Sequence, residues 1–363
     1  MVKSLKSHGD GDCLRIKLCL RTSVIDKETF KRFLFRKSTC LTILRFSWLA
    51  FLFSFLSFLA FHTELLEPDE VVHYSLNRSI PFNSEFLINP WGKPLFTMIS
   101  FVLITLTNSG GLIVIRIFNV AISTATCFIT YKLCCRVNLS DFWSSLCIPL
   151  IASSPLFAKI SFSALTEPLF GFLLMLALYF FYADKFHLSA LLISLSCLAR
   201  QEGFLMMPLW WIILRKRKKA LFLTLVFPLL WSFSLLLANL SPFYMITMYS
   251  EVVNPLVVQW EDTSMLGKGI YSLSYYAINL VNILGLITLP LFLVGFFNEV
   301  RKRNFLLLRL VIIVYFLFHS LILVFPYYGS VGFIRNISPL VPLAAIFAIS
   351  GLEKLSHLAS GIR

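Results

Sequence analysis

Charge is scarce in this sequence. Only 14% of its 363 residues are Asp, Glu, Lys or Arg, against roughly 25% in an ordinary soluble domain. Hydrophobic residues make up 58%. There is too little polar surface to cover that much apolar side chain in water, which excludes a soluble globular enzyme. Acids are scarcest, 18 against 32 Lys and Arg. The eight cysteines, Cys13, Cys19, Cys40, Cys127, Cys134, Cys135, Cys147 and Cys197, have the spacing of neither a zinc site nor a redox pair. Adjacent Cys134 and Cys135 lie beside a basic cluster, at an end expected in the cytoplasm, where thiols stay reduced. An internal repeat and a soluble second domain are also missing. The first 45 residues are too long and too charged for a signal peptide, and read as a retained basic cytoplasmic arm able to lie along anionic lipid. The formal charge of +14 is no nucleic-acid footprint, because the basic residues form short clusters between apolar runs without interleaved stacking aromatics.

What the sequence does have is long apolar runs. They fall near 46–63, 143–163, 168–183, 220–239, 273–297, 305–325 and 337–352, each near the roughly 17–25 residues that cross a bilayer core. The basic clusters between them are Lys132 to Arg136, Lys185, Arg215 to Lys219 and Arg301 to Arg303. Placing all of these and the N-terminal arm in the cytoplasm satisfies the positive-inside rule. That topology predicts an all-α polytopic membrane protein with about ten transmembrane helices and both termini inside. Counting the apolar stretch 95–107 as a span would put Arg215-Lys216-Arg217-Lys218-Lys219 outside. Its 13 residues reach only about 20 Å of a core of roughly 30 Å, so it is predicted to be a re-entrant or interfacial helix. The organisation is thus an arm over 1–45, a transmembrane domain over 46–352 with external loops 64–110 and 240–272, and a cytoplasmic tail over 353–363.

With the sides assigned by basic clusters alone, the remaining polar residues collect on the other face. The first external loop carries Glu64, Glu67, Asp69, Glu70, His73, Glu85 and Lys93. Later external turns carry Thr166-Glu167-Pro168, Arg200-Gln201-Glu202 and Arg335-Asn336, and the 240–272 segment adds Glu251, Gln259, Glu261, Asp262 and Lys268. Pro68 suits the first turn of a helix, and the neighbouring acids favour its positive end. On that helix Asp69 and His73, four apart, share a face, so His73 either orients the carboxylate or joins it around a metal; the bland reading is a helix cap with solvated acids. Thr166-Glu167-Pro168 reads equally as a helix start. Arg200 and Glu202 interrupt two short apolar stretches, where snorkelling or mutual pairing competes with a site role. Lys93 and Arg335 double as interface anchors. Asn-x-Ser matches at Asn77, Asn138, Asn239 and Asn336 do not fix the compartment, because Asn138 falls on the predicted cytoplasmic side and Pro follows the motif at Asn239 and Asn336.

The order of these elements resembles the GT-C superfamily of membrane glycosyltransferases that use polyprenyl-phosphate sugars, which includes protein O-mannosyltransferases and lipid A aminoarabinose transferases. The likeness spans most of 46–352. An acidic pair in the first external loop, Asp69-Glu70, is followed by Asn89-Pro90-Trp91-Gly92-Lys93-Pro94-Leu95, by Arg116-Ile117-Phe118 at the head of a span, and by Thr166-Glu167-Pro168-Leu169. Leu198-Ala199-Arg200-Gln201-Glu202-Gly203 is similar to the Arg-x-Glu-Gly turn of lipid-linked mannosyltransferases, and Phe333 to Pro342 to the late Arg-Tyr element. The tryptophan-rich motif and large soluble C-terminal domain of oligosaccharyltransferases are missing, and Lys-Pro stands in place of Lys-Pro-Pro.

The resemblance implies a GT-C-like fold and an inverting transfer of a sugar, a hexose such as mannose, from a polyprenyl- or dolichyl-phosphate carrier to a lipid, glycan or protein acceptor. The site would be external or lumenal, in a prokaryotic plasma membrane or an endoplasmic reticulum membrane. Asp69, with Glu70 as the substitute, would take the acceptor proton. Arg200, Lys93 and Arg335 would hold the leaving lipid phosphate. Glu167 would ligate a metal or position the acceptor, with His73, Glu202 and Arg116 in support. A divalent metal held by Asp69, Glu167 and His73 would be Mg²⁺ or Mn²⁺ if the oxygens dominate, or Zn²⁺ if His73 does. Two other classes stay open: a secondary transporter, which also uses intramembrane charges and broken helices, and a catalytically silent subunit of GT-C shape.

Overall fold

The computed structural model describes residues 27–64, 67–89, 91–107, 111–244, 264–298, 302–322 and 333–361. Glu251, Gln259, Glu261 and Asp262 of the expected second external loop lie outside the described residues, as do Pro90 and Arg301. The chain divides into two compact units, Met1–Ser47 and Trp48–Arg363. Helix α1 covers Lys27–His62, so the expected N-terminal arm is helical from Lys27. The helices that follow are α2 (Pro68–Ser79), α3 (Pro94–Thr107), α4 (Gly111–Arg136), α5 (Asp141–Ser145), α6 (Cys147–Ala152) and α7 (Pro155–Ser161). After them come α8 (Glu167–Tyr182), α9 (Phe186–Ala199), α10 (Glu202–Leu214), α11 (Lys218–Leu223) and α12 (Val226–Leu237). The last are α13 (Met265–Ile278), α14 (Leu280–Leu284), α15 (Thr288–Asn298), α16 (Leu306–Ile322) and α17 (Val341–Gly361). No strand occurs among the described residues.

The all-helical membrane architecture is as expected, but the number of spans is not. Five helical stretches are long and apolar enough to cross a bilayer: Thr39–His62, Gly111–Arg136, Lys218–Leu237, Arg303–Ile322 and Ile334–Ser360. Two bent pairs, Asp141–Ala152 with Pro155–Ser161 at 71° and Gly269–Leu284 with Thr288–Asn298 at 116°, raise the count to seven if each is one span. The described residues therefore hold five to seven candidate spans, not about ten. The excess came from apolar stretches that form only short helices: α8, α9 and α10 have 16, 14 and 13 residues, about 20–24 Å at 1.5 Å per residue. The first bend has a local cause. Pro155 starts α7 behind Ser154, whose hydroxyl accepts from Phe157 N at 3.2 Å, so a new helix begins where a straight span was expected. The stretch 95–107 falls in α3, 14 residues long and too short to span. The expected tail 353–363 continues α17 as far as Gly361.

Apolar side chains bury α8 on almost every side, among them Leu169, Phe170, Leu173, Leu174 and Leu178, and α17 likewise from Val341 to Ile349. Without a hydrophobic drive between helices in lipid, close backbone approach does the work. At the α15–α17 contact a Cβ on Gly295 would sit 1.8 Å from the Phe347 carbonyl oxygen and 2.9 Å from Gly351 N. No flexible side chain is there to give way, so Gly295→Ala is expected to push the two helices apart. Overpacking of this kind costs about 1–3 kcal/mol, read as a lowered unfolding temperature in detergent; an unchanged temperature would mean that the helices do not touch there.

Helices α4 and α8 connect two chemically different ends. At one, basic side chains lie over aromatic rings: Arg217 over Phe186 at 3.5 Å and Arg136 over Tyr179 at 6.0 Å. At the other, where α4 carries Arg116 near its start and α8 begins with Glu167, acids and arginines from five parts of the chain meet.

Candidate functional site

Helix α2 starts as its sequence dictates, with Pro68 in the first turn and Asp69 and Glu70 beside it. Glu67 precedes the helix without capping it. Consecutive helical residues point about 100° apart, and this separates the fates of the acids. Glu70 turns inward and is completely buried. One oxygen accepts from Arg116 Nη2 at 2.6 Å and the other from Ala164 N at 2.6 Å. Arg116 also donates to the carbonyls of Thr63 at 2.7 Å, Glu64 at 2.8 Å and Ala60 at 3.3 Å, capping the end of α1. Glu70 and Arg116 thus form a clamp joining the end of α1, the start of α2, α4 and the 163–165 turn. Asn119 steadies that turn, donating to the Ser163 and Leu165 carbonyls at 2.7 Å each.

Asp69 turns outward, its side chain 31% exposed, and pairs with Arg335 Nη2. Arg335 also reaches Glu67 and Glu167, both at 3.5 Å, and stands 4.3 Å over the Phe333 ring. The second oxygen of Glu67 accepts from Lys159 of α7 at 2.7 Å.

His73 shares a helical face with Asp69, but its ring stacks on Trp91 with centroids 4.6 Å apart and meets the edge of Phe96 at 5.4 Å. The face that carries His73 packs on α3, while Asp69 lies at the rim beside Arg335. Burial first, then the charges of Lys93, Arg200 and Arg335, hold the imidazole down to about 3, so it is neutral at ordinary pH. Among the described residues no three of His, Cys, Asp and Glu converge as a metal-holding group: Asp69 and Glu167 both face Arg335, while His73 lies against Trp91 and Phe96.

Lys93 occupies the turn before α3 with φ of +59°. Its buried amine donates to Gln201 Oε1 at 2.6 Å. Burial first, then Arg200, lowers its pKa to about 7, opposed by Glu202, Glu167 and Asp69. Between that value and the usual 10.5 the unfolded chain holds a proton that the folded chain does not, so this group raises stability as pH rises across that window. Below about 7 both states are protonated and the full burial penalty stands. Lys93→Met should flatten the rise in unfolding temperature between pH 7 and pH 10; an unaltered profile would mean that the amine is charged in the folded protein.

Arg200 ends α9 and is almost fully buried. Its Nε donates to Glu202 at 3.0 Å and its Nη2 to Glu202 at 2.9 Å and Asn336 Oδ1 at 3.0 Å. Nη1 bonds Thr166 Oγ1 at 2.9 Å and lies 2.7 Å from Glu167 Oε1. Hydrogen bonds thus engage four of the five guanidinium N–H groups, and Glu167 stands at ion-pair distance from Nη1. Gly203 permits this turn, since a Cβ there would lie 2.5 Å from Cys197 N. His319 of α16 approaches Glu202 at 3.6 Å, and Tyr315 donates to the Asn336 carbonyl at 2.9 Å.

The expected site residues therefore gather at one end of the bundle but divide into layers. Asp69 and Arg335 lie at the rim, Lys93 and His73 are buried beside it, and Arg200, Glu167 and Glu202 form a closed network below. Glu70 and Arg116 stand apart as the clamp. Sequence reasoning left out Lys159 and His319, and their signal was simple: each is an ionisable residue inside an apolar run. Beside the rim is a cleft of about 550 Å³ lined by Glu67, Lys159 and Arg335 together with Leu156, Tyr275 and Phe333. Among the Asn-x-Ser matches, Asn77 is buried, while Asn138 and Asn239 take left-handed turns with φ of +68° and +57°. No family model, no curated protein and no solved structure matches this chain.

Proposed function

We propose that the chain is a membrane transferase that moves a sugar from a polyprenyl-phosphate carrier to a hydroxyl acceptor. One observation carries this reading: a half-open carboxylate, Asp69, faces a cation, Arg335, at the edge of a cleft with both charged and apolar walls. Such a donor is an anion joined to a long apolar tail, and such an acceptor needs a base. In the proposed step the acceptor oxygen attacks the anomeric carbon as Asp69 takes its proton. The sugar–phosphate bond breaks with its electron pair leaving on the phosphate, and the configuration inverts. The phosphate leaves as a stable anion and needs only positive charge in a water-poor site. Arg335 supplies that charge.

Purified protein in detergent, supplied with radiolabelled polyprenyl-phosphate sugars and candidate acceptors, should release the carrier phosphate and label an acceptor. The 71° break between α6 and α7 supports a second reading, a transporter of the same amphiphile. It is distinguished by uptake of the intact labelled carrier into proteoliposomes without transfer of its sugar.

A further inference from the structure

The carboxylate of Glu67 lies between two cations from distant parts of the chain, with one oxygen 2.7 Å from Lys159 Nζ and the other 3.5 Å from Arg335 Nη1. Carboxylate and phosphate oxygens accept from the same cationic donors, and Glu67 turns one oxygen to each cation, so this acid occupies the position that two phosphate oxygens would take between them. The surroundings fit an amphiphile. Leu156, Tyr275, Phe333 and Ile334 line the same cleft, whose volume of about 550 Å³ falls within the roughly 300–1,000 Å³ of small-molecule sites. Exposure places the pair within reach of a ligand: the Lys159 side chain is 46% exposed and that of Glu67 22%, whereas the Arg200 network is closed.

We propose that the cleft between α7 and the 333–335 turn binds the phosphate of an anionic amphiphile through Lys159 and Arg335, and that Glu67 is an internal competitor displaced when it binds. The consequence reaches Asp69. Arg335 donates to Glu67 and Asp69 and stands at ion-pair distance from Glu167, and an arriving phosphate draws it away from the rim. Asp69 then loses its counter-ion and becomes the better proton acceptor. Donor binding thus precedes deprotonation of the acceptor, so the base is not exposed to water as a free carboxylate before the donor is in place. Lys159 becomes a binding residue and Glu67 a tuning residue. The effect on Asp69 rests on the transferase reading; binding in the cleft does not.

Farnesyl phosphate, which carries no sugar to transfer, is the probe, titrated into the full-length protein in detergent with farnesol and inorganic phosphate as controls. Replacing one charge of such a contested contact shifts affinity by roughly tenfold, the low end for a hydrogen bond to a charged group. Glu67→Gln should therefore bind farnesyl phosphate about tenfold more tightly, and Lys159→Gln about tenfold more weakly, with both variants unfolding at the wild-type temperature. Farnesol should bind far more weakly, locating recognition in the phosphate, and inorganic phosphate weakly as well, locating the rest in the apolar walls. Unchanged or weaker binding by Glu67→Gln would overturn the competitor role, and farnesol binding equal to that of farnesyl phosphate would overturn the site. Tightening by Glu67→Gln in a protein that transfers no sugar would leave this inference standing and the transferase reading fallen. Sugar transfer with no effect of either substitution on binding would do the reverse.

Discussion

Asp69→Asn is expected to lower turnover by about 10²–10⁴-fold, the usual contribution of a general base, while leaving donor affinity within a few-fold of wild type. The amide keeps the shape of the carboxylate and can still meet Arg335, but it cannot take the acceptor proton. The half-open position of the side chain makes a folding defect small. Glu70→Gln tests the other acid and should behave differently. Glu70 is fully buried and accepts from both Arg116 and Ala164 N, so an amide nitrogen there would face a donor and leave Arg116 short of a partner, at a cost of about 1–3 kcal/mol for an unsatisfied buried group. Stability should fall, with any loss of turnover tracking the amount of folded protein. Single-turnover rates on purified variants separate the two. A well-folded Glu70→Gln protein with turnover reduced a hundredfold, beside an Asp69→Asn protein near wild type, would exchange the roles.

That contrast also shows how far the sequence could be read. The helix start at Pro68 and the side of the bundle on which the acids gather were legible, because capping preference and charge clustering act locally. Which of two adjacent acids faces inward was not. It depends on how α2 is rotated about its axis, and that rotation is set by the stacking of His73 on Trp91 and by Arg116, 46 residues away from Glu70. The shared face of Asp69 and His73 follows from helical spacing and still does not bring them together, since α3 takes the histidine. Span number was misjudged for a related reason: an apolar run reports burial without saying whether lipid or protein covers it, and α8 is covered largely by its neighbours. Lys159 and His319 sit in apolar runs with no local motif beside them, and their partners, Glu67 and Glu202, lie 92 and 117 residues away in the chain.

Arg200 carries the largest expected effect on folding. Sequence resemblance implies a phosphate grip, and a guanidinium fork suits that task, yet here the fork faces Glu202, and Glu167, Thr166 and Asn336 take the remaining donors. Arg200→Ala leaves two carboxylates, each buried to within a few per cent, short of their main counter-charge, a change that costs about 3–5 kcal/mol when one partner of a buried pair is removed. Most of the variant is expected to be lost from the monodisperse detergent-solubilised fraction. Arg200→Lys should be intermediate, since an ammonium keeps the charge with three donors where five contacts exist. The decisive protein is the double variant Arg200→Leu, Glu202→Leu. It removes the carboxylate that depends most on Arg200, and Glu167 keeps Arg335 at 3.5 Å. Replacing a buried ion pair by apolar side chains is often close to neutral, so unfolding temperature should recover much of the loss, and binding of farnesyl phosphate should persist because Lys159 and Arg335 are untouched. If instead Arg200→Lys folds as well as wild type and binds farnesyl phosphate at least tenfold more weakly, the guanidinium meets the phosphate directly, and the closed network must open when the donor arrives.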